Sequence, residues 1–157
     1  MDRSAKGEQH LVVVRLDREC YGVPIEHVHE IIRMQQVTRI PRAPAFVEGV
    51  INLRGQVIPV VDLRRRFGLP EADGRGAERI VVVELDGTRV GVVVDAVLEV
   101  LRVPESAVVP PEELLAASEV AFLRGVAKHG DSLILLLDLA RVLDPSEHRA
   151  LRELKSA

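Results

Sequence analysis

The sequence predicts an all-β protein made of two small β-barrels packed against each other. Three observations carry this reading: the chain states one pattern twice, its apolar excess is Val, Leu and Ile, and turn signals recur at short intervals. Leu11–Arg33 and Ile80–Arg102 align without a gap. Val12, Leu16, Asp17, Gly22, Val23, Val28, Glu30 and Arg33 fall on Val81, Leu85, Asp86, Gly91, Val92, Val97, Glu99 and Arg102. A second pair follows in the same order, Phe46–Phe67 and Phe122–Leu143. There Phe46, Gly49, Val50, Ile58, Asp62 and Leu63 fall on Phe122, Gly125, Val126, Ile134, Asp138 and Leu139. A repeat constrains architecture before any motif is consulted. Shared positions are explained by the shared fold, so function is to be sought where the copies differ.

The 157 residues fit one ordinary domain or two very small subdomains. A half of roughly 70 residues buries too little surface to stand comfortably alone, so a joint core is expected. The expected layout is one domain over 10–145, with copies near 10–68 and 79–143. Strand exchange between the copies is compatible with this pattern. A flexible tail is expected over 1–9 and a helix over 145–157, with Leu151 and Leu154 on one side. Aromatics are scarce, with one Tyr, three Phe and no Trp, and the β-branched composition suits strands.

The elements read in order as follows. Leu11–Leu16 and Cys20–Ile25 form a hairpin around Asp17-Arg18-Glu19, matched by a turn at Asp86-Gly87 where Gly supplies positive φ. Glu26–Arg33 reads as a helical turn followed by a strand, with the boundary left open. Pro41 and Pro44 punctuate a polar connection. Val47–Leu53 and Val57–Val61 are strands around Arg54-Gly55. Asp62 then opens a short helix that Gly68 closes. Leu69–Ala77 links the copies, and the longer connection Val103–Ala121 holds a small helix at Glu112–Ser118. Small antiparallel sheets protect their edges by curling closed.

Composition excludes several function classes. The net charge of −3, with signs interspersed, gives no pull toward nucleic acid or anionic membrane. A single cysteine, Cys20, forbids an internal disulfide and fits a reducing compartment. The N-terminal residues lack a signal peptide's apolar run, and no stretch is long enough to span a bilayer. A cytoplasmic protein is expected.

Candidate chemistry is sparse. Asp62 and Asp138 end apolar strands, but both open short helices and read as N-caps rather than catalytic acids. His27 and His29 share a strand face without a third ligand nearby, and their counterparts Ala96 and Leu98 carry no ligand atoms. Cys20 reads as a packed thiol. Arg64-Arg65-Arg66 reads as a solvated helix face, since few aromatics are available to stack bases. No nucleophile, base and oxyanion stabiliser assemble. No enzyme activity, metal or cofactor is expected. Arg54 stands apart: copy one has Asn52-Leu53-Arg54-Gly55 at its hairpin, where copy two has Lys128-His129-Gly130-Asp131. Its planar fork of donors suits carboxylates or carbonyl oxygens.

The chain resembles the CheW family of bacterial chemotaxis adaptors. The match runs through Tyr21–Val23, Val28-x-Glu30-Ile31, Val37–Pro41, Pro44–Phe46 and Gly49-Val50. Its most specific parts are Asn52–Gly55 and Ile58–Leu63. It continues through Gly91, Val94-Asp95, Val100–Pro104, Pro110-Pro111 and Leu135–Leu139. The resemblance implies two SH3-like, five-stranded antiparallel β-barrels around a joint hydrophobic core. It also implies a scaffold that binds the cytoplasmic tip of chemoreceptors and the regulatory domain of a CheA-type histidine kinase. Other CheW-like proteins are further expected partners, and receptor arrays the expected location. Carried over by motif, Val28, Glu30, Gly49 and Arg54 belong to the receptor-facing region. An apolar groove between the barrels near Val28 is expected to take a receptor helix, with Glu30 orienting Arg54. A CheW-like protein that keeps only one of the two partners is an alternative expectation. The rival readings are a small β-barrel binding nucleic acid and an enzyme with a pocket between the barrels.

Overall fold

A computed structural model describes residues 7–70, 76–85, 87–110, 122–142 and 150. Eleven strands and two short helices are defined within them. The first four strands are β1 (Glu8–Leu16), β2 (Glu19–Pro24), β3 (Val28–Arg33) and β4 (Val47–Leu53). Strand β5 (Gln56–Asp62) leads into helix α1 (Leu63–Arg66). Next come β6 (Arg79–Leu85), β7 (Thr88–Val94) and β8 (Ala96–Pro104). The chain continues with β9 (Val108–Val109), β10 (Leu123–His129), β11 (Ser132–Leu137) and helix α2 (Leu139–Val142). The expected helices at 145–157 and Glu112–Ser118 lie outside the described residues, as do Asp86 of the second hairpin turn and most of the expected tail. Strand β1 starts at Glu8, so Glu8 and Gln9 are paired with Pro104 and Val103 instead of belonging to that tail.

The strands form two sheets whose membership crosses the repeat. One sheet runs β8-β1-β2-β11-β10-β9, and the other β3-β6-β7-β5-β4. The first hairpin of each copy thus joins the strands of the other copy. The exchange explains a departure from the all-antiparallel expectation. Each inserted hairpin meets its new neighbour in parallel: β2 against β11, and β7 against β5. The first sheet has six strands because two residues of β9 pair with β10. In the second sheet a single bridge, Thr38 to Val50, occupies the corresponding place. These pairings draw the segment after β3 onto β4, and the segment after β8 onto β10, so each sheet curls back on itself.

Exchange also explains the unbroken apolar runs LVVV and IVVV. In β1, Val12, Val14 and Leu16 enter the core shared by both sheets, while Leu11 and Val13 enter a separate cluster inside the six-stranded sheet. Likewise Val81 and Val83 of β6 enter the shared core, and Ile80 and Val82 the interior of the five-stranded sheet. A strand buried on both faces needs apolar residues at every position rather than at alternate ones. The shared core carries the expectation of a joint interior.

Helix ends behave as the sequence indicates. Asp62 caps α1 by accepting from the Arg64 N–H at 2.9 Å, and Asp138 accepts from the Ala140 N–H at 3.1 Å. Helix α1 closes in a Schellman turn, with the Leu69 N–H on the Arg64 carbonyl and the Gly68 N–H on that of Arg65.

Candidate functional site

The β4–β5 hairpin turns through Arg54 and Gly55, with φ of 51° and 87°. Two successive left-handed residues make the tight turn whose twist matches antiparallel strands. The Asn52 side chain accepts the Gly55 N–H at 2.8 Å and holds the loop. At the corresponding turn, between β10 and β11, the first loop residue is Gly130, with φ of 60°. A non-glycine residue in this region costs about 1–2 kcal/mol. Copy one therefore keeps an arginine where the backbone favours glycine.

The Arg54 side chain is two-thirds exposed, and its Nη2 donates to Oε1 of Glu30 on β3. Strands β3 and β4 lie at opposite ends of the hydrogen-bonded order of their sheet. The contact spans the opening between those two edges and is possible because the sheet curls. It gives the guanidinium a fixed direction while leaving it accessible.

The other two predicted site residues have roles inside the fold. Val28 is half-buried and packs against the shared core, as its copy-two counterpart Val97 does. Gly49 sits at a register shift of β4, where a Cβ would run into the Thr38 carbonyl. Its counterpart Gly125 is similarly constrained, with Val108 Cγ1 at 2.8 Å and the Val109 carbonyl at 3.0 Å from where a Cβ would sit. The duplicated glycine thus marks where the closing segment crosses the strand.

The remaining candidates resolve individually. His27 lies in the single helical turn Ile25–His27, whereas His29 lies on β3 with its Nε2 4.0 Å from Glu30. Cys20 is half-buried against the six-stranded sheet's interior. Among the described residues no group of three metal-ligating side chains comes together.

The arginine run is a correction. It is not a solvated face: Arg64 is buried, with its Nη1 on the Asp95 carboxylate. Arg65 pairs with Glu48 at 3.1 Å. The Arg66 Nε donates to the Val142 carbonyl at 2.7 Å, and its guanidinium lies over the Phe122 ring. Asp95 also accepts the Asp17 N–H at 2.6 Å and donates its own N–H to the Arg15 carbonyl at 2.9 Å. One buried pair therefore ties the β1–β2 turn to α1. The sequence held a signal for it: in the repeat alignment Asp95 falls on Glu26, and Arg64 falls on Ala140.

Comparison with known proteins agrees with this architecture. The CheW-like domain model matches residues 10–147. A chemotaxis protein CheW of Treponema pallidum is 32% identical over 148 residues, covering 92% of this chain and 87% of its own. That of Rhizobium meliloti is 36% identical, with 91% and 92% covered. Among solved structures, the scaffolding protein TtCheW of Thermoanaerobacter tengcongensis superposes with a TM-score of 0.79 at 39% identity, covering 87% of this chain and 92% of that one. With its residues 10–147 matched and its fold superposing on that of a solved relative, this chain belongs to the CheW family.

Proposed function

We propose that this chain is a non-catalytic scaffold coupling chemoreceptors to a CheA-type histidine kinase, and that its receptor-facing site centres on Arg54 as oriented by Glu30. Family membership supports the scaffold role. The site rests on one observation: an exposed arginine held in left-handed backbone, where the other copy has glycine, and tethered by a carboxylate from the opposite sheet edge. Residual strain at a functional position is characteristic of pre-organised sites. The partners proposed are the cytoplasmic tip of chemoreceptors, the kinase's regulatory domain and further CheW-like proteins. The location proposed is the cytoplasm, at receptor arrays.

Within the site Arg54 is the contact residue and Glu30 its positioner. Val28 and Gly49 contribute by shaping the surface: Val28 through the core beneath it, and Gly49 by letting the Thr38 segment lie against β4. The test is titration with a receptor-tip fragment. Arg54→Ala and Glu30→Ala should each weaken binding, the double variant should lose less than the sum, and the melting temperature should barely move. Unchanged affinity in Arg54→Ala, or fully additive losses, would remove the pair from the receptor site.

A further inference from the structure

The repeat supplies an internal control for one cavity. Where β5 meets α1, the Arg64 side chain fills the space beside Asp95. At the equivalent place, where β11 meets α2, position 140 is alanine and the aspartate's counterpart is the exposed Glu26. A cavity of about 330 Å³ opens there. Glu26, Glu84, Asp138, Ala140 and Arg124 line it. His27 borders it too; Asp138 caps α2 and pairs with Arg141 at 3.4 Å, while Glu26, Glu84 and Arg124 are exposed, and Arg124 also borders a neighbouring cavity. The same fold position that is filled by an internal arginine in one copy is open and acidic in the other.

We propose that this cavity receives an arginine side chain from a partner protein, which takes the place that Arg64 takes in the other half. The acid cluster alone would attract any cation. The guanidinium is singled out by the related site, whose occupant is an arginine on a carboxylate and whose position corresponds element for element. Several carboxylates on different elements also suit a planar fork with donors along two edges better than an ammonium. The cavity lining includes neither Glu30 nor Arg54, so this proposal stands or falls independently of the receptor site.

The experiment is an amide NMR titration of the whole chain with Nα-acetyl-arginine N-methylamide, run beside the lysine and citrulline analogues. The arginine compound should shift the signals of Glu26, Leu139 and Ala140 with saturation. The lysine analogue should bind more weakly, and the uncharged citrulline analogue should leave these signals in place. Glu26→Gln should weaken arginine binding by about tenfold, the scale of one lost charge-assisted contact. Ala140→Arg should abolish it by filling the cavity from within, as Arg64 does. Because Glu26 is exposed, its variant carries the test should Ala140→Arg fail to fold. Equal shifts from citrulline or lysine, or arginine shifts that survive Glu26→Gln undiminished, would overturn the proposal.

Discussion

At the end of β5, Arg64 crosses to Asp95 and locks the β1–β2 turn onto α1. At the end of β11, position 140 is an alanine whose N–H is bonded to the Asp138 carboxylate, and a cavity bordered by Glu26 and Arg124 stands open. The two places descend from one pattern and share strand, cap and helix. They differ by which side chain follows the capping aspartate by two residues. The same contrast recurs at the hairpin tips, where Arg54 stands opposite Gly130 in otherwise equivalent turns. In each pair, one member serves the fold, and the proposals above assign the other to a partner. At the helix end the structural member is the arginine. At the hairpin tip the structural choice is glycine, and the arginine is the member held outward. A residue type therefore carries no role by itself, and comparison of the copies assigns it.

The sharpest way to break this comparison is at the buried pair. Arg64→Ala strands the Asp95 carboxylate in a site that is 7% exposed. Breaking such a pair costs about 3–5 kcal/mol, whereas replacing both partners by apolar residues is close to neutral. In urea denaturation Arg64→Ala should lose stability on that scale, and Arg64→Met with Asp95→Leu should recover part of it, because Asp95→Leu also removes the acceptor of the Asp17 N–H. Ala140→Gly at the matching position should cost only about 1 kcal/mol, by helix propensity. Equal losses at positions 64 and 140 would mean that the two ends are not distinguished by this pair.

Next in size is the glycine that both copies keep. At Gly49 a Cβ would overlap the Thr38 carbonyl oxygen outright, whereas at Gly125 the Val109 carbonyl oxygen stands off at 3.0 Å and the nearer atom, at 2.8 Å, is a Val108 methyl. A backbone obstacle cannot rotate aside. Gly49→Ala should therefore cost about 1–3 kcal/mol, and Gly125→Ala less. Hydrogen exchange at the Thr38 and Val50 amides, which bond each other's carbonyls at 2.8 Å, reads the effect locally. Protection of both amides retained in Gly49→Ala would show that the segment adjusts without loss.

Much of this was legible in the chain. The repeat gave two β units with a shared core, and the caps at Asp62 and Asp138 followed from helix-end chemistry alone. The exchange of hairpins was compatible with the chain but not decided by it, because each hairpin carries the same apolar pattern in either sheet. Val12 and Val81 serve equally well beside their own copy or the other. The arginine run was misread for a related reason: a three-residue charged stretch on a four-residue helix points around the whole circumference, and only the packing decides which member goes inward. At the candidate site, Arg54 was legible as an unmatched residue. The structure added that its backbone is left-handed and that Glu30 reaches it.

A smaller effect tests the hairpin tips. Arg54→Gly makes copy one resemble copy two at this turn. It relieves a left-handed non-glycine residue, worth about 1–2 kcal/mol, against which stand glycine's extra chain entropy of about 0.5–1 kcal/mol and the loss of an exposed ion pair worth about 0–1 kcal/mol. The melting temperature should therefore change little in either direction. Affinity for the receptor-tip fragment should nevertheless fall as it does in Arg54→Ala. A large drop in stability would show that Arg54 serves the fold, and that the two hairpins are more alike in purpose than the comparison states.

The smallest expected effect concerns Tyr21 on β2, whose counterpart in β7 is Val90. Its ring stacks on Phe67 at 5.8 Å, and Phe67 meets Phe122 at 5.0 Å, so the phenol sits at the border of the shared core. Burial, with Glu19 and Asp17 adding negative charge, raises its pKa above the ordinary value of 10.0. The sign follows from proton counting. Between the ordinary and the raised value the unfolded chain has released the phenolic proton and the folded chain still holds it. Stability contributed by Tyr21 is therefore fully present below about pH 10 and declines as pH rises through the folded value. Tyr21→Phe removes the titrating group and keeps the ring stack, so its stability should fall less between pH 9.5 and 11 than that of the parent chain, at roughly the titration range of a phenol. The Val90 side contributes no such dependence because it has no proton to lose. Parallel stability–pH curves for the parent and Tyr21→Phe would place the alkaline sensitivity elsewhere and make the two hairpins equivalent in this respect.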